Sequence, residues 1–133
     1  LLRESFWNTK AAVGFMAPAN WQAGVHLSLL QLDDEDAGAQ AAMRVLKEKC
    51  KRAIFFGHSE IPVTSERLNG VRRVLETQKI ALQTVDCGLN YAAGLEQSQK
   101  IKAVKLNSCA LIAGNDWLAL GLRTGLQNAH GEK

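Results

Sequence analysis

The chain has 133 residues, 47% hydrophobic and 22% charged, the size and composition of one globular domain with one core. Its formal net charge of +3 is small. The basic residues are scattered (Lys47, Lys49, Lys51 and Arg52; Arg72 and Arg73; Lys100, Lys102 and Lys105), so they form no basic face of the kind that holds nucleic acid.

No apolar run approaches the roughly 18 residues of a membrane span. Cys50, Cys87 and Cys109 lie far apart, with no C-x-x-C pair and no histidine at ligand spacing, so free thiols and a cytoplasmic location are expected. Leu1 to Ser5 has neither an initiator Met nor the layout of a signal peptide, and the chain reads as a piece of something longer.

Leu1 to Lys10 has no clear period. Ala12–Ala17 and His26–Leu32 read as strands separated by Pro18, Asn20 and Gly24. Asp33 and Asp34 are suited to cap a helix from about Glu35 to Lys49, with Ala37, Ala41, Val45 and Leu46 as its apolar stripe. Arg52–Gly57 follows as a buried strand, β-branched and aromatic. Thr64 or Ser65 is expected to cap a second helix, with Leu68, Val71 and Leu75 inward and Arg72, Arg73 and Glu76 outward. Ala81–Asp86 is the next strand, and Tyr91 to Val104 a third helix with Leu95 and Ile101 inward. Cys109–Ala113 is too short and apolar for anything but a strand, and a fourth helix then runs to about Gln127 with Leu118, Leu122 and Leu126 at helical spacing. Strands alternating with helices of this length imply an α/β fold, a three-layer α/β/α sandwich on a mostly parallel sheet. No repeat or linker divides the chain, so residues 1–133 read as a single subdomain. Gly131–Lys133 ends it where a further strand is expected.

The most informative stretch is Gly114–Arg123. Asn115 and Asp116 stand where a strand ends and a helix begins, the place at which open α/β sheets hold small polar ligands. Asn115 offers both a donor and an acceptor, or else bonds its own turn. Asp116 reads as the cap of the fourth helix, and Asp86 and Asn90 as loop caps before Tyr91. For catalysis, only His58, Ser59 and Glu60 put base and nucleophile types together, and no G-x-S-x-G, G-x-G-x-x-G or G-x-x-x-x-G-K-[ST] pattern accompanies them. His26 and His130 have no ligand-spaced partners. A binding protein without metal or cofactor is therefore expected rather than an enzyme, with a small hydrolase using His58 as the alternative from a different class.

Several segments, in order, resemble the effector-binding region of the LacI/GalR transcriptional regulators, which have a periplasmic-binding-protein-like fold. They are Leu30–Gly38, Lys51–Gly57, Thr64–Val71 with its Arg-Leu-x-Gly core, and the most specific, Asn115-Asp116-x-Leu118-Ala119-Leu120-Gly121. The resemblance spans roughly residues 23 to 128. It implies a sugar-like or nucleoside-like effector, no chemistry on that effector, and a homodimer. DNA would be bound only through a headpiece absent from this chain. It makes Arg67 a ligand contact, where the residues alone favour an arginine in water or one paired with Glu66; a guanidinium fork suits hydroxyl pairs, carboxylates and phosphates. Ser59, Val63 and Thr64 in the preceding loop, and Cys87 after the strand ending at Asp86, join Arg67, Asn115 and Asp116 as candidate ligand-binding residues. Trp117, Leu118 and Leu122 form a stripe that is either core or, as the resemblance implies, dimer interface. The chain departs from the family pattern at Lys49-Cys50-Lys51, where Gly-His is common, and at Cys87-Gly88, where an aromatic is common. A periplasmic solute receptor feeding a transporter is the alternative within binding proteins.

Overall fold

The computed structural model describes residues 12–14, 27–29, 32–101 and 108–130. The chain divides into two compact units, Leu1–Asp33 and Asp34–Lys133. In the first, strands β1 (Ala12–Gly14) and β2 (Leu27–Leu29) pair in parallel, Ala12 opposite Leu27 and Gly14 opposite Leu29. The rest of the two strands expected here, and Leu1 to Lys10, lie outside the described residues.

The second unit runs α1 (Asp34–Lys47), β3 (Arg52–Gly57), α2 (Pro62–Thr77), β4 (Ala81–Asp86), α3 (Tyr91–Ile101), β5 (Cys109–Ala113) and α4 (Asp116–His130). Its three strands are parallel in the order β4-β3-β5, with Arg52 opposite both Ala81 and Cys109. The period of two along central β3 sends Ala53 and Phe55 to one face and Ile54 and Phe56 to the other. On the first face α1 and α2 bring Ala42, Val45, Val71 and Leu75. On the second, α3 and α4 bring Ile101, Leu118 and Leu122. Phe56, Leu75 and Leu118 are fully buried, so the layers are tied through the middle strand. This is the expected α/β/α sandwich.

Each helix pair crosses at reciprocal glycines. A Cβ on Gly38 of α1 would stand 1.9 Å from the Arg67 carbonyl oxygen of α2, and one on Gly70 of α2 would stand 1.9 Å from that of Glu35. In α3 and α4, Gly94 faces the Leu118 carbonyl at 2.5 Å and Gly121 the Tyr91 carbonyl at 2.2 Å in the same sense. In both pairs each glycine sits three residues after the carbonyl that its own helix offers to the partner glycine. The backbones meet directly where a side chain would hold them apart.

Several details differ from the sequence reading. The buried stripe of α1 is Asp34, Gly38, Ala39, Ala42 and Val45, whereas Ala37 is exposed, because an alanine-rich helix gives little apolar contrast by which to choose its inner face. Helix α2 starts at Pro62, and neither Thr64 nor Ser65 caps it; its cap position is Ile61, with no side-chain bond. Helix α4 reaches His130, beyond the expected Gln127. In α3 the buried positions are Gly94, Gln97, Ser98 and Ile101, with Leu95 only half-buried; the helix is described to Ile101, and its expected extension to Val104 lies outside the described residues.

Helices α1 and α2 end alike. Cys50 N–H donates to the Val45 carbonyl and Lys49 N–H to that of Leu46; Ile80 and Lys79 repeat the pattern on Leu75 and Glu76. This is the Schellman ending, which needs a left-handed residue, and here lysines supply it at φ 57° (Lys49) and 55° (Lys79).

Candidate functional site

Parallel strands with intervening helices bring the ends of β3, β4 and β5 and the starts of α2, α3 and α4 to one edge of the sheet. Arg67 is the organising residue of that rim. Its Nε and Nη2 reach Asp34 Oδ1 at 2.8 and 2.7 Å, and its Nη1 donates to the Gly114 carbonyl at 2.7 Å. The partner among the described residues is therefore Asp34, 33 positions away, and not Glu66. Asp34 is only 7% exposed, so removing the guanidinium would leave a buried carboxylate without its partner. Three N–H groups of Arg67 are used in these bonds and two remain. Its side chain is 28% exposed, open enough to meet a ligand.

Gly114 is held from both sides, since its own N–H donates to the Phe56 carbonyl at 2.7 Å. A Cβ there would meet the Thr64 methyl carbon at 2.7 Å. Asn115 stands next to it on the same rim, but both halves of its amide are occupied. Its oxygen accepts the Leu118 N–H at 2.9 Å, capping α4, and its nitrogen donates to the Leu89 carbonyl at 2.8 Å. The cap is thus Asn115 and not Asp116, which is the exposed first residue of the helix. The reason is geometric: a cap must precede the helix for its side chain to turn back onto a free N–H.

Across β3, at the ends of β3 and β4, lies a second polar group. Ser59 donates to Asp86 through its hydroxyl, and its backbone N–H reaches the same carboxylate oxygen at 3.3 Å. His58 Nδ1 is 3.9 Å from the other Asp86 oxygen and 3.4 Å from the Glu60 N–H. The two bonds from Ser59 hold the Asp86 carboxyl below its ordinary value, with His58 adding to them. Asp86 is therefore an acceptor for Ser59 and not a loop cap; Asn90 alone caps α3, accepting the Ala93 N–H at 2.8 Å. His58, Ser59, Asp86, Thr84 and Leu68 line a cavity of about 70 Å³. Because the serine proton goes to the carboxylate, His58 is not placed as the base of a serine nucleophile.

The other candidates divide. Thr64 is 2% exposed and its hydroxyl lies 2.6 Å from the His58 carbonyl and 2.9 Å from that of Ile61, so it fixes the loop instead of facing a ligand. Val63 is half-buried. Cys87 packs against the α3/α4 core, and burial, with Asp86 next, pushes its thiol up. Leu118 and Leu122, expected at a dimer interface, are 0% and 3% exposed and belong to the core. Trp117 and Leu120 are the large apolar side chains that α4 leaves exposed, at 63% and 45%. Sequence reasoning missed Asp34 as the partner of Arg67. Its pairing with Asp33 before a helix offered a cap as sufficient explanation, and nothing local pointed 33 residues ahead.

Among the described residues, no cluster of three or more His, Cys, Asp or Glu could hold a metal ion, and no helix is long and apolar enough to cross a membrane. No family model and no curated protein matches the sequence. Solved structures do. A LacI-family regulator from Silicibacter pomeroyi is 18% identical at TM-score 0.77, with 99% of this chain and 47% of that one covered. One from Clostridium acetobutylicum is 18% identical at TM-score 0.73, covering 98% and 49%. A LacI-family transcriptional regulator from Enterococcus faecalis, with bound ribose, is 23% identical at TM-score 0.68, covering 84% and 40%. At such identities the likeness is one of fold, and the chain spans less than half of each of these proteins. The chain has the fold of the LacI-family transcriptional regulators over that part of their length.

Proposed function

We propose that the protein is the ligand-sensing part of a LacI/GalR-type transcriptional regulator, cytoplasmic and dimeric, which binds a small polar metabolite such as a sugar or nucleoside. The observation that carries this reading is Arg67. Three of its donors are anchored to Asp34 and Gly114 at the rim where α/β sheets take ligands, and two more remain on a partly exposed guanidinium. A similar fold with ribose bound in the Enterococcus faecalis regulator supports a sugar-like effector. The effector is bound and released unchanged, in keeping with a serine whose proton is committed to Asp86. Such a ligand acts by contacts that differ between two arrangements of the regulator, and so alters DNA affinity through a headpiece outside this chain.

Among the candidates, Arg67 and Ser59 are the contacts we assign to the effector, with Asn115 and Asp116 shaping the turn beside them and Val63 and Cys87 walling it. Trp117 and Leu120 are the dimer contacts we assign to α4. Screening sugars and nucleosides by thermal shift tests the reading, since a ligand that binds only the folded state raises Tm. Arg67→Lys keeps a charge for Asp34 but loses the planar fork, so the variant should fold and bind about 2 kcal/mol more weakly, roughly 30-fold. Unchanged affinity in that variant would refute the assignment.

A further inference from the structure

We infer that this rim admits an uncharged, hydroxyl-bearing effector and rejects the phosphate ester of the same compound, an inference that rests on the ligand-sensing reading above. The first ground is charge. An arginine at a binding edge ordinarily invites an anion, but here the guanidinium is already matched by Asp34 at 2.7 Å. Of the remaining charged groups on the rim, Asp86 and Asp116 are both exposed carboxylates. Arg67, Asp34, Asp86 and Asp116 carry formal charges that sum to minus two, and the exposed Glu60 in the loop after β3 adds a further carboxylate. A phosphate brought to the two remaining donors of Arg67 would stand beside the Asp34 carboxylate and meet two further carboxylates.

The second ground is the helix starts, which in α/β sheets cradle phosphate on free N–H groups. Those beginning at this rim have part of that capacity already used. Helix α2 opens on Pro62, which has no N–H. In α3 the Ala93 N–H is taken by Asn90, and in α4 the Leu118 N–H by Asn115. Helix α1, whose first residue holds Arg67, fills its first turn with Asp34, Glu35 and Asp36. The carboxylates thus carry the discrimination against an anion, and the partly used helix starts add to it.

What the rim retains suits hydroxyls. Arg67 has two N–H donors to give, and Asp86 keeps the oxygen beside His58 as an acceptor, while Ser59 occupies its other oxygen. A sugar hydroxyl both donates and accepts, and so satisfies either group without bringing charge.

The test titrates the chain with matched pairs, namely ribose, glucose and adenosine, each against its own phosphate ester, following amide and arginine side-chain signals by nitrogen-15 NMR. Inorganic phosphate serves as a further probe. The expected result is saturable shifts at Arg67, Gly114 and Ser59 with at least one neutral compound. Its ester should bind about 10-fold or more weakly at low ionic strength, the gap narrowing as salt screens the carboxylates. Asp86→Asn, at an exposed position, should fold and narrow the gap several-fold. An ester that binds as tightly as its parent, or inorganic phosphate shifting the Arg67 signals, would overturn the inference and leave the ligand-sensing reading standing. If no compound moves the rim signals, that reading itself fails and this inference with it.

Discussion

Gly38→Ala is the most demanding test of how Arg67 is held. The added methyl would stand 1.9 Å from the Arg67 carbonyl oxygen, where ordinary contact begins at 3.4 Å, so α1 and α2 must part by about 1.5 Å. Forcing a methyl group into packed structure costs roughly 1–3 kcal/mol. The separation also stretches the Asp34–Arg67 bonds, because α1 carries the carboxylate and α2 the guanidinium; a weakened hydrogen bond to a charged group adds roughly 1.5–3 kcal/mol. Against this, alanine is a better helix former than glycine by about 1 kcal/mol. The net expectation is a loss of about 1.5–5 kcal/mol, seen in urea unfolding followed by circular dichroism as a lower midpoint with unchanged slope. Gly88→Ala is the control: its nearest contact, the Ala93 methyl, lies at 3.4 Å, and its effect should stay within about 0.5 kcal/mol. If Gly38→Ala were as stable as the parent, or more so, helix propensity would have won and the direct backbone crossing would be wrong.

Lys49→Gly should stabilise the protein by roughly 1 kcal/mol, because φ 57° strains a lysine and not a glycine; thermal unfolding should show a higher Tm. Leu118→Ala should cost roughly 2–5 kcal/mol as a cavity in the core, while Trp117→Ala should leave the unfolding midpoint nearly unchanged and weaken self-association in sedimentation equilibrium. Ser59→Ala removes the two strongest influences lowering the Asp86 carboxyl only in part, since the backbone bond survives, so its titration followed by carbon-13 NMR should move up toward the ordinary 3.8. A carboxyl depressed in the folded state stabilises above its unfolded pKa and loses that contribution as pH falls through the folded one. The destabilisation from Ser59→Ala should therefore be present at neutral pH and vanish in acid.

Much of the architecture was legible in the sequence because its period is strong where it matters. Arg52–Gly57 and Ala81–Asp86 were bounded correctly as strands, since β-branched and aromatic residues flanked by polar turns admit no helix there. The resemblance carried by Arg-Leu-x-Gly and Asn-Asp-x-Leu-Ala-Leu-Gly led to the same fold that the solved structures share. Helix faces were less legible. In α1 the sequence pattern points Ala37 and Ala41 inward, whereas Ala39 and Ala42 are the buried alanines, and only the crossing with α2 at Gly38 and Gly70 selects that face.

The order of helices and strands, and the edge at which polar residues collect, are properties of local pattern and chain connectivity, and the amino-acid sequence determined them unaided. Which polar atom meets which was decided by the tertiary structure. Asp34 could have capped its own helix, Asn115 could have faced outward, and Asp116 could have been the cap, since each is competent for more than one bond. The choice was made when residues 33 to 47 positions apart were brought to one rim and Arg67 found Asp34 and the Gly114 carbonyl within reach. Hydrogen-bond partners depend on distances of a few tenths of an ångström, and a period of 2 or 3.6 residues carries no such information.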